Sequence, residues 1–339
     1  MYEPTARRRL GRTALQVTQF GFGTAPLAGF RTTIPELDAI ATVDAAYQAG
    51  VRLFDSSPYY GYGRAEMRLG AAIRDRPRDE LVVSTKIGRW MTPVPRGATI
   101  EGMRRGGLNF YPTFDYSYDG VHRSLEHSLL RLGMDRVDIA LVHDVDFWTT
   151  GDRGVLEDRF SEVMNGAYRA LSDLRGQGVI GAIGVGLNEA DMSARFVRAG
   201  DFDCVLLAGR YTLLEQRALD DFMPLCAARG VGVIIGGPLN SGVLATGARQ
   251  GAKYDYNDAP AWVMNRVARI EAVCARHDVP IAAAALQFPL AHPAVSAIQP
   301  PYQLPRIIPI TCAVPCAAKA RDRVGPGCSI PISPIAAGR

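Results

Sequence analysis

The sequence lacks any long run of apolar residues. The chain has 339 residues, of which 47% are hydrophobic, so it can bury a large core. No uninterrupted apolar run approaches the ~20 residues needed to cross a bilayer. Residues 1–7 also lack the apolar stretch and small-residue cleavage site of a secretory signal. We therefore predict a cytoplasmic protein with no membrane partner.

The chain also has little net charge of either sign. The formal net charge is +4, and 21% of the residues are charged. Apart from the short run Arg7-Arg8-Arg9, which we interpret as a solvated end, there is no block of Lys and Arg. Nucleic-acid-binding domains usually carry a basic patch or stripe. The composition therefore argues against nucleic acid as a partner.

The cysteines lack the spacing of a metal site. Cys204, Cys226 and Cys274 lie in apolar surroundings typical of buried, reduced thiols. Cys312 and Cys316 are four residues apart, but no His or second cysteine pair accompanies them as a zinc site requires. We predict no metal.

A Rossmann fingerprint is missing too. The G-x-G triplets at 21–23, 61–63 and 184–186 do not continue to a third glycine at the dinucleotide-binding spacing. A nucleotide cofactor, if there is one, needs another kind of site.

What the chain does contain is a regular alternation of short apolar runs and helical segments. Alternation of this kind indicates parallel strands joined by crossover helices, and eight of them favour a closed (β/α)8 barrel, a TIM barrel. A β-hairpin at 8–18, turning near Gly11, is predicted to precede it. The barrel strands are predicted at 19–24, 51–55, 81–86, 137–143, 179–185, 202–207, 231–235 and 294–298. Helices are predicted at 35–48, 64–73, 119–132, 162–175, 189–198, 216–229 and 261–277.

The last 41 residues break this alternation. We assign residues 1–298 to a single barrel domain, and residues 299–339 to an atypical Pro-rich tail with eight prolines and three of the six cysteines. So many prolines exclude a regular helix. Two interpretations stay open, an irregular natural tail and a terminus whose reading frame has shifted. The abrupt change in composition favours the second.

Four ionisable residues follow the predicted strands. Asp55, Lys86 and His143 stand at the C-terminal ends of three of them, and Tyr60 lies in the loop after the first. Each alone has a structural explanation: a helix cap, a salt bridge, a core histidine or a packed ring. Together they form a coherent acid–base set at the end of a barrel where active sites are built.

The motifs around these residues resemble those of the aldo-keto reductase family over residues 9–298. They are 10–13, 21–24, 54–61, 84–86, 123–133 and 138–143. The resemblance implies a barrel that binds NAD or NADP without a Rossmann domain. It also implies that Tyr60 exchanges a proton, that Lys86 stabilises its phenolate, that Asp55 pairs with Lys86, and that His143 orients the reacting oxygen.

The same resemblance implies a set of cofactor contacts. Gly23, Thr24 and Asp55 would lie beside the nicotinamide ribose, and Asn188 would bind the carboxamide. Pro238, Leu239 and Ser241 would line the pyrophosphate, in a loop where backbone N–H groups can meet negative charge. Family contacts to the adenosine phosphate follow the eighth strand, where the tail begins here, so the choice between NAD and NADP stays open.

Within the family, residues 114–120, 142–146 and 183–188 resemble the D-threo-aldose (L-fucose) 1-dehydrogenases most and the pyridoxal 4-dehydrogenases next. This implies oxidation of a sugar at C1 to the lactone. Pyridoxal oxidation and a non-catalytic cofactor-binding barrel are the alternatives. The chain departs from many members at Gly186–Asn188 and at Gly236-Gly237, where a Ser-Asn pair and an aromatic residue are common. The loops at 87–118 and 144–159 and the C-terminal segment are expected to shape the substrate pocket. The oligomeric state stays open.

Overall fold

The computed structural model describes residues 3–29, 33–98 and 106–300. In this part of the chain, eight parallel strands form one sheet that curls into a nearly closed barrel. The strands, in chain order, are β1 (Arg7–Arg9), β2 (Gln16–Thr18), β3 (Gly21–Gly23), β4 (Leu53–Asp55), β5 (Val82–Ile87), β6 (Arg89–Pro93), β7 (Phe110–Phe114), β8 (Ile139–His143), β9 (Ala182–Leu187), β10 (Cys204–Ala208), β11 (Gly232–Gly236), β12 (Lys253–Tyr254), β13 (Asn257–Asp258) and β14 (Val295–Gln299).

The barrel strands follow one another around the sheet in chain order, β3-β4-β5-β8-β9-β10-β11-β14. A parallel bridge between Phe20 and Ile298 joins the two ends. The strands are apolar on both faces because one face lines the barrel interior and the other packs under helices. The predicted (β/α)8 barrel is therefore confirmed.

The predicted N-terminal hairpin is confirmed as well. β1 pairs antiparallel with β2, and Leu10 and Val17 join the apolar cluster inside the barrel. Gly11 forms the turn with φ +53°, and a Cβ there would lie 2.5 Å from the carbonyl oxygen of Gly230 and the amide nitrogen of Gly232. Only glycine allows so close an approach. The hairpin thus covers the N-terminal end of the barrel.

The outer layer of helices matches most of the predicted positions. The α-helices are α1 (Glu36–Gln48), α2 (Arg64–Ile73), α3 (Tyr118–Leu132), α4 (Phe147–Thr150), α5 (Arg153–Glu162), α6 (Tyr168–Gly176), α7 (Ala190–Ala199), α8 (Phe222–Arg229), α9 (Val243–Thr246), α10 (Ala261–Arg276) and α11 (Ile281–Gln287). None of the helices in the described ranges is both long and apolar enough to pass through a bilayer.

The region predicted as one long loop, 87–118, contains an antiparallel hairpin. β6 and β7 pair from Arg89 with Phe114 to Pro93 with Phe110. The loop prediction was wrong at these strands because their prolines and neighbouring glycines are typical of turns. A hairpin at the edge of the fold tolerates proline, because few of its backbone N–H groups have to donate to a neighbouring strand.

The segment after β8 is also more helical than predicted. α4 and α5 occupy most of 144–159, and a π-helical turn, Val163–Ala167, connects α5 to α6. Gly166 lies in this turn, and a Cβ there would come within 2.7 Å of the Tyr116 carbonyl oxygen. The turn therefore lets the helix pack closely against the chain that enters α3.

Two smaller differences concern the C-terminal half. The helix predicted at 216–229 is broken, since a 3-10 turn at Arg217–Leu219 precedes α8. α11 was missed because four alanines give it little amphipathic contrast. Cys204, Cys226 and Cys274 are free thiols, as predicted. The tail from residue 301 and its predicted irregularity lie outside the described residues.

Candidate active site

A buried ion pair lies at the C-terminal end of β4 and β5. Lys86 Nζ donates to both carboxylate oxygens of Asp55, at 2.5 and 2.6 Å, and to the carbonyl oxygen of Ser56 at 2.9 Å. The two side chains are only 1% and 2% exposed. Burial raises the pKa of Asp55, and the positive charge of Lys86 opposes this shift. Because the strands are neighbours in the sheet, the predicted pairing of Asp55 with Lys86 is observed.

The space beside the Lys86 stem depends on a glycine in β9. A Cβ on Gly186 would lie 3.2 Å from Lys86 Cε and 3.9 Å from His143 Cδ2. Contacts at 3.2 Å are tighter than ordinary packing, so a side chain here would displace the lysine. The glycine at position 186 thus leaves room for the Lys86 side chain.

Tyr60 lies above this pair in a tightly turned loop. Three consecutive residues after it, Gly61, Tyr62 and Gly63, have φ of 64°, 55° and 100°. The turn brings Lys86 Nζ to 5.5 Å from the centre of the Tyr60 ring. The Tyr60 and His143 rings meet edge to face, with centroids 5.8 Å apart. The four residues predicted from the sequence are therefore neighbours in the structure.

His143 is held through its ring and its main chain. Its Nδ1 lies 3.0 Å from Arg89 Nη1 and 3.2 Å from Ser57 Oγ. Its Nε2 lies 3.4 Å from Asp144 Oδ1. The hydroxyl of Tyr116 donates to the His143 carbonyl oxygen at 2.7 Å. The imidazole thus has a defined orientation toward Tyr60.

Arg89, the first residue of β6, was missed in the sequence analysis. It is 3% exposed, it donates to Asp144 Oδ2 at 2.9 Å, and its guanidinium lies 4.3 Å from the ring centres of both Tyr59 and Phe114. Burial lowers the pKa of Arg89, but Asp144, Tyr116 and Tyr59 together oppose this effect and the net direction is upward. A signal was present: an arginine follows Lys86 by three residues, just after a glycine that can reverse the chain.

Gly23 and Thr24 lie at the C-terminal end of β3, next to the ion pair. Gly23 pairs with Asp55 across the sheet, and Thr24 Oγ1 donates to Ser56 Oγ at 2.8 Å. A Cβ on Gly23 would lie 3.5 Å from Gln299 Oε1. The Nε2 of Gln299 is buried without a hydrogen-bond partner among the described residues. A buried donor of this kind suits a polar ligand at the barrel mouth.

Asn188 lies at the end of β9 and is held by two carboxylates. Its side-chain amide nitrogen donates to Asp146 Oδ2 at 3.0 Å and to Asp144 Oδ1 at 3.3 Å. Its main-chain carbonyl oxygen accepts from Arg210 Nε at 3.0 Å. Asn188 thus belongs to the same polar network as Asp144, on the side of His143 away from the Asp55–Lys86 pair.

The loop after β11 has the backbone of an anion site. Pro238 and Leu239 lie between residues of left-handed conformation, with φ of 57° at Gly237, 58° at Ser241 and 106° at Gly242. Successive turns of this kind can aim backbone N–H groups at an anion. A Cβ on Gly242 would meet nothing within 4 Å, so the backbone faces open space. The residues present therefore fit a pyrophosphate.

Comparison with known proteins identifies the class of protein that this barrel and polar centre define. The model of the Aldo/keto reductase family matches residues 19–305. The chain belongs to this family, and it is an oxidoreductase of the aldo-keto reductase type. Members of the family use NAD or NADP, so its cofactor is NAD(P).

Among curated relatives, pyridoxal 4-dehydrogenase from Microbacterium luteolum is 44% identical over 301 residues, which are 86% of this chain and 87% of that protein. D-threo-aldose 1-dehydrogenase from Pseudomonas sp is 36% identical over 287 residues, 81% of this chain and 82% of that protein. The motifs had placed the aldose dehydrogenases first. The higher identity of the pyridoxal enzyme reverses that order.

Solved structures support the fold. The glycerol dehydrogenase of Gluconobacter oxydans superposes with a TM-score of 0.70 at 19% identity and covers 94% of both chains. An aldo-keto reductase from Bacillus halodurans, in its holo form, gives a TM-score of 0.69 at 21% identity over 91% of this chain and 90% of that chain. At these identities the likeness concerns the barrel alone.

Proposed function

We propose that this protein is an NAD(P)-dependent dehydrogenase that oxidises a cyclic hemiacetal to a lactone. The observation that carries the proposal is the buried Asp55–Lys86 pair with Tyr60 5.5 Å from the ammonium group and His143 against the same ring. Proton exchange by a phenol beside a fixed cation is the chemistry that this arrangement serves best.

In this scheme Tyr60 is the catalytic base for oxidation. Its phenolate accepts the proton of the hemiacetal hydroxyl while the C–H bond at the same carbon breaks. The nearby charge of Lys86 lowers the free energy of the phenolate, because an opposite charge within a few ångströms favours the ionised form. Asp55 holds Lys86 in place and balances its charge in the dry interior.

His143 orients the substrate. Its imidazole lies edge-on to Tyr60, so an oxygen bound to the histidine also comes within reach of the phenol. When bound, NAD(P)+ would supply the hydride acceptor for the hemiacetal carbon. Gly23, Thr24 and Asp55 would border the nicotinamide ribose and Asn188 would bind the carboxamide.

The loop after β11 completes the proposed cofactor site. Pro238, Leu239 and Ser241 would line the pyrophosphate there. The open backbone at Gly242 supports this assignment. The Oγ of Ser241 accepts the N–H of Tyr256 at 3.1 Å, which ties the loop to the β12–β13 hairpin. The backbone of Ser241 is the proposed anion contact.

Two substrates share the required hemiacetal. Pyridoxal closes between its aldehyde and its neighbouring hydroxymethyl group, and aldoses close to pyranoses whose C1 carries the reactive hydroxyl. The 44% identity to pyridoxal 4-dehydrogenase supports the first, and the 36% identity to D-threo-aldose 1-dehydrogenase supports the second. We place pyridoxal first and L-fucose-type aldoses second.

A substrate and cofactor panel tests the proposal. Initial rates of NADH or NADPH formation should be measured with pyridoxal, L-fucose and other aldoses. Lactone formation in step with reduced cofactor is expected for at least one hemiacetal. An L-fucose rate above that of pyridoxal would reverse our order. Cofactor binding without turnover of any hemiacetal would instead support the non-catalytic barrel.

The variant Tyr60→Phe tests the mechanism. It removes the proton acceptor and keeps the ring, so kcat should fall by about 10²–10⁴-fold, the usual contribution of general acid–base catalysis. Tyr118→Phe is the matched control, because that tyrosine is 37% exposed and donates to Asp173 on the outer surface. Activity that survives Tyr60→Phe would rule out the assigned base.

A further inference from the structure

The contacts of the imidazole reveal which of its nitrogens carries the proton. Arg89 Nη1 lies 3.0 Å from His143 Nδ1. A guanidinium nitrogen only donates hydrogen bonds, since arginine stays protonated and has no acceptor. His143 Nδ1 therefore has to be the acceptor, and a neutral ring then carries its hydrogen on Nε2.

We propose that Arg89 is a positioning residue that keeps His143 neutral and in the Nε2–H form, ready to donate to the substrate oxygen. This inference rests on the proposed function of His143. An imidazolium would need a hydrogen on Nδ1 as well, and that hydrogen would point at the N–H group of Arg89. Two donors facing each other at 3.0 Å exclude this state.

Asp144 contacts both Arg89 and His143. Its Oδ2 accepts from Arg89 at 2.9 Å, and its Oδ1 lies 3.4 Å from His143 Nε2. The second distance exceeds that of an ordinary hydrogen bond, so Asp144 does not itself fix the Nε2–H group. Asp144 reaches both partners from a left-handed backbone, with φ +56°. Such a conformation is uncommon for a residue other than glycine.

The position of Arg89 is itself fixed by packing. Its guanidinium is stacked between the rings of Tyr59 and Phe114, each 4.3 Å away. Ser124 Oγ donates to its carbonyl oxygen at 3.0 Å. Stacking and ion pairing together hold the planar group in one orientation. Arg89 can therefore dictate the tautomer of the histidine rather than follow it.

Ser57 is the competing explanation. Its Oγ lies 3.2 Å from the same Nδ1 and also accepts the N–H of Tyr59 at 3.1 Å. A hydroxyl can donate or accept, so Ser57 is compatible with either tautomer. The serine alone leaves the proton position open, whereas the arginine does not.

Nuclear magnetic resonance of the nitrogen-labelled histidines tests the proposal without any substrate. The chain has five histidines, and the spectrum of His143→Gln identifies the signals of His143 by their loss. In the wild-type protein we expect an unprotonated Nδ1 and a protonated Nε2. A protonated Nδ1 in the wild-type protein would overturn the proposal, whatever the variants do.

Three variants separate the causes. Arg89→Met should let Nδ1 become protonated, with the Ser57 hydroxyl as its new acceptor, and kcat/KM should fall by about 10²-fold as for a misplaced catalytic group. Ser57→Ala should keep the wild-type tautomer. Arg68→Met, which removes another buried arginine bound to Glu36 and Ile34, should leave the His143 signals unchanged.

An unchanged tautomer in Arg89→Met, or its loss in Ser57→Ala, would contradict the role of Arg89. The Ser57→Ala and wild-type spectra decide the matter even if Arg89→Met does not fold. The spectra also separate this inference from the proposed function. The expected tautomer in a protein without hemiacetal oxidation would refute the function alone.

Discussion

The Asp55–Lys86 pair shows how much depends on single residues in this site. Both side chains are almost fully buried, and the ammonium group has three oxygen acceptors within 2.9 Å. Removing one partner from such a pair leaves the other charge unpaired in a dry environment. We therefore expect the pair to matter for stability as well as for the proposed chemistry.

The variant Asp55→Asn tests this at the residue scale. The loss of the negative charge should cost about 3–5 kcal/mol in the free energy of unfolding, and activity should fall because Lys86 loses its anchor. Urea unfolding and initial rates measure the two effects. Asp79→Asn is the control, since Asp79 pairs with Arg136 while its side chain is 98% exposed. Equal stability losses in the two variants would contradict the argument.

The identity of the central residues could be predicted from the sequence because strand ends are readable from short apolar runs. Asp55, Lys86 and His143 end three such runs, and the barrel brings strand ends together. Arg89 and Asp144 could not be predicted in this way. Their contacts depend on two places where the chain reverses, at Gly88 and at Asp144 itself. A sequence does not indicate the second reversal, because a φ of +56° is rare for an aspartate.

At the scale of elements, the turn between β5 and β6 places Arg89 beside the site. Gly88 lies in this turn with φ +97°, and a Cβ there would come within 2.1 Å of Tyr116 Cε1. Tyr116 in turn holds the His143 carbonyl oxygen. The turn, the hairpin β6–β7 and the histidine therefore share one tightly packed contact.

Gly88→Ala should destabilise the protein through this contact. The positive φ alone costs about 1–3 kcal/mol for a residue with a side chain, and the clash with the Tyr116 ring adds to it. Gly178→Ala is the matched control, because Gly178 has φ +73° but nothing within 4 Å of its added Cβ. A larger shift of the urea midpoint is expected for Gly88→Ala, and equal shifts would show that the ring contact is unimportant.

Element type was predicted best where periodicity was strong. α2 has the predicted bounds, Arg64–Ile73, and buries one face that includes Leu69 and Ile73. The hairpin β6–β7 was missed because prolines are typical of loops. The helix α11 was missed because a run of alanines shows no alternation of apolar and polar faces. The predicted start of α3 was one residue late, since Ser117 caps the helix by accepting the N–H of Gly120 at 3.0 Å.

At the scale of the whole molecule, the two ends of the barrel have different tasks. The N-terminal end is closed by the hairpin β1–β2, whose turn at Gly11 touches the backbone of Gly230 and Gly232. The polar residues of the proposed site lie at the opposite end. Barrels of this kind commonly separate stability from function in this way.

Gly11→Ala should therefore lower stability without changing the proposed chemistry. Its Cβ would lie 2.5 Å from two backbone atoms, so the hairpin has to move away from β11. We expect an earlier urea midpoint and a kcat near that of the wild-type protein at low temperature. Thermal and urea unfolding, with initial rates below the transition, measure this. A parallel loss of kcat would show that the two ends are coupled.

The barrel as a whole was predictable from the sequence because eight buried strands with crossover helices admit few topologies. The closing strand was predicted at 294–298 and is observed at Val295–Gln299, with Gln299 ending beside Gly23. The composition beyond it breaks all periodic patterns. The interpretation of residues 299–339 as a terminus with a shifted reading frame therefore stays a prediction.

The π-helical turn Val163–Ala167 sets the rotational phase of the helix that follows it. One residue corresponds to about 100° of rotation around a helix axis. Leu171 and Leu174 of α6 point to the barrel only because this phase is kept. Deleting one residue from the turn would swing both leucines toward solvent while α5 stays where it is. The π-helical turn thus couples the rotation of α6 about its axis to the position of the chain around Tyr116.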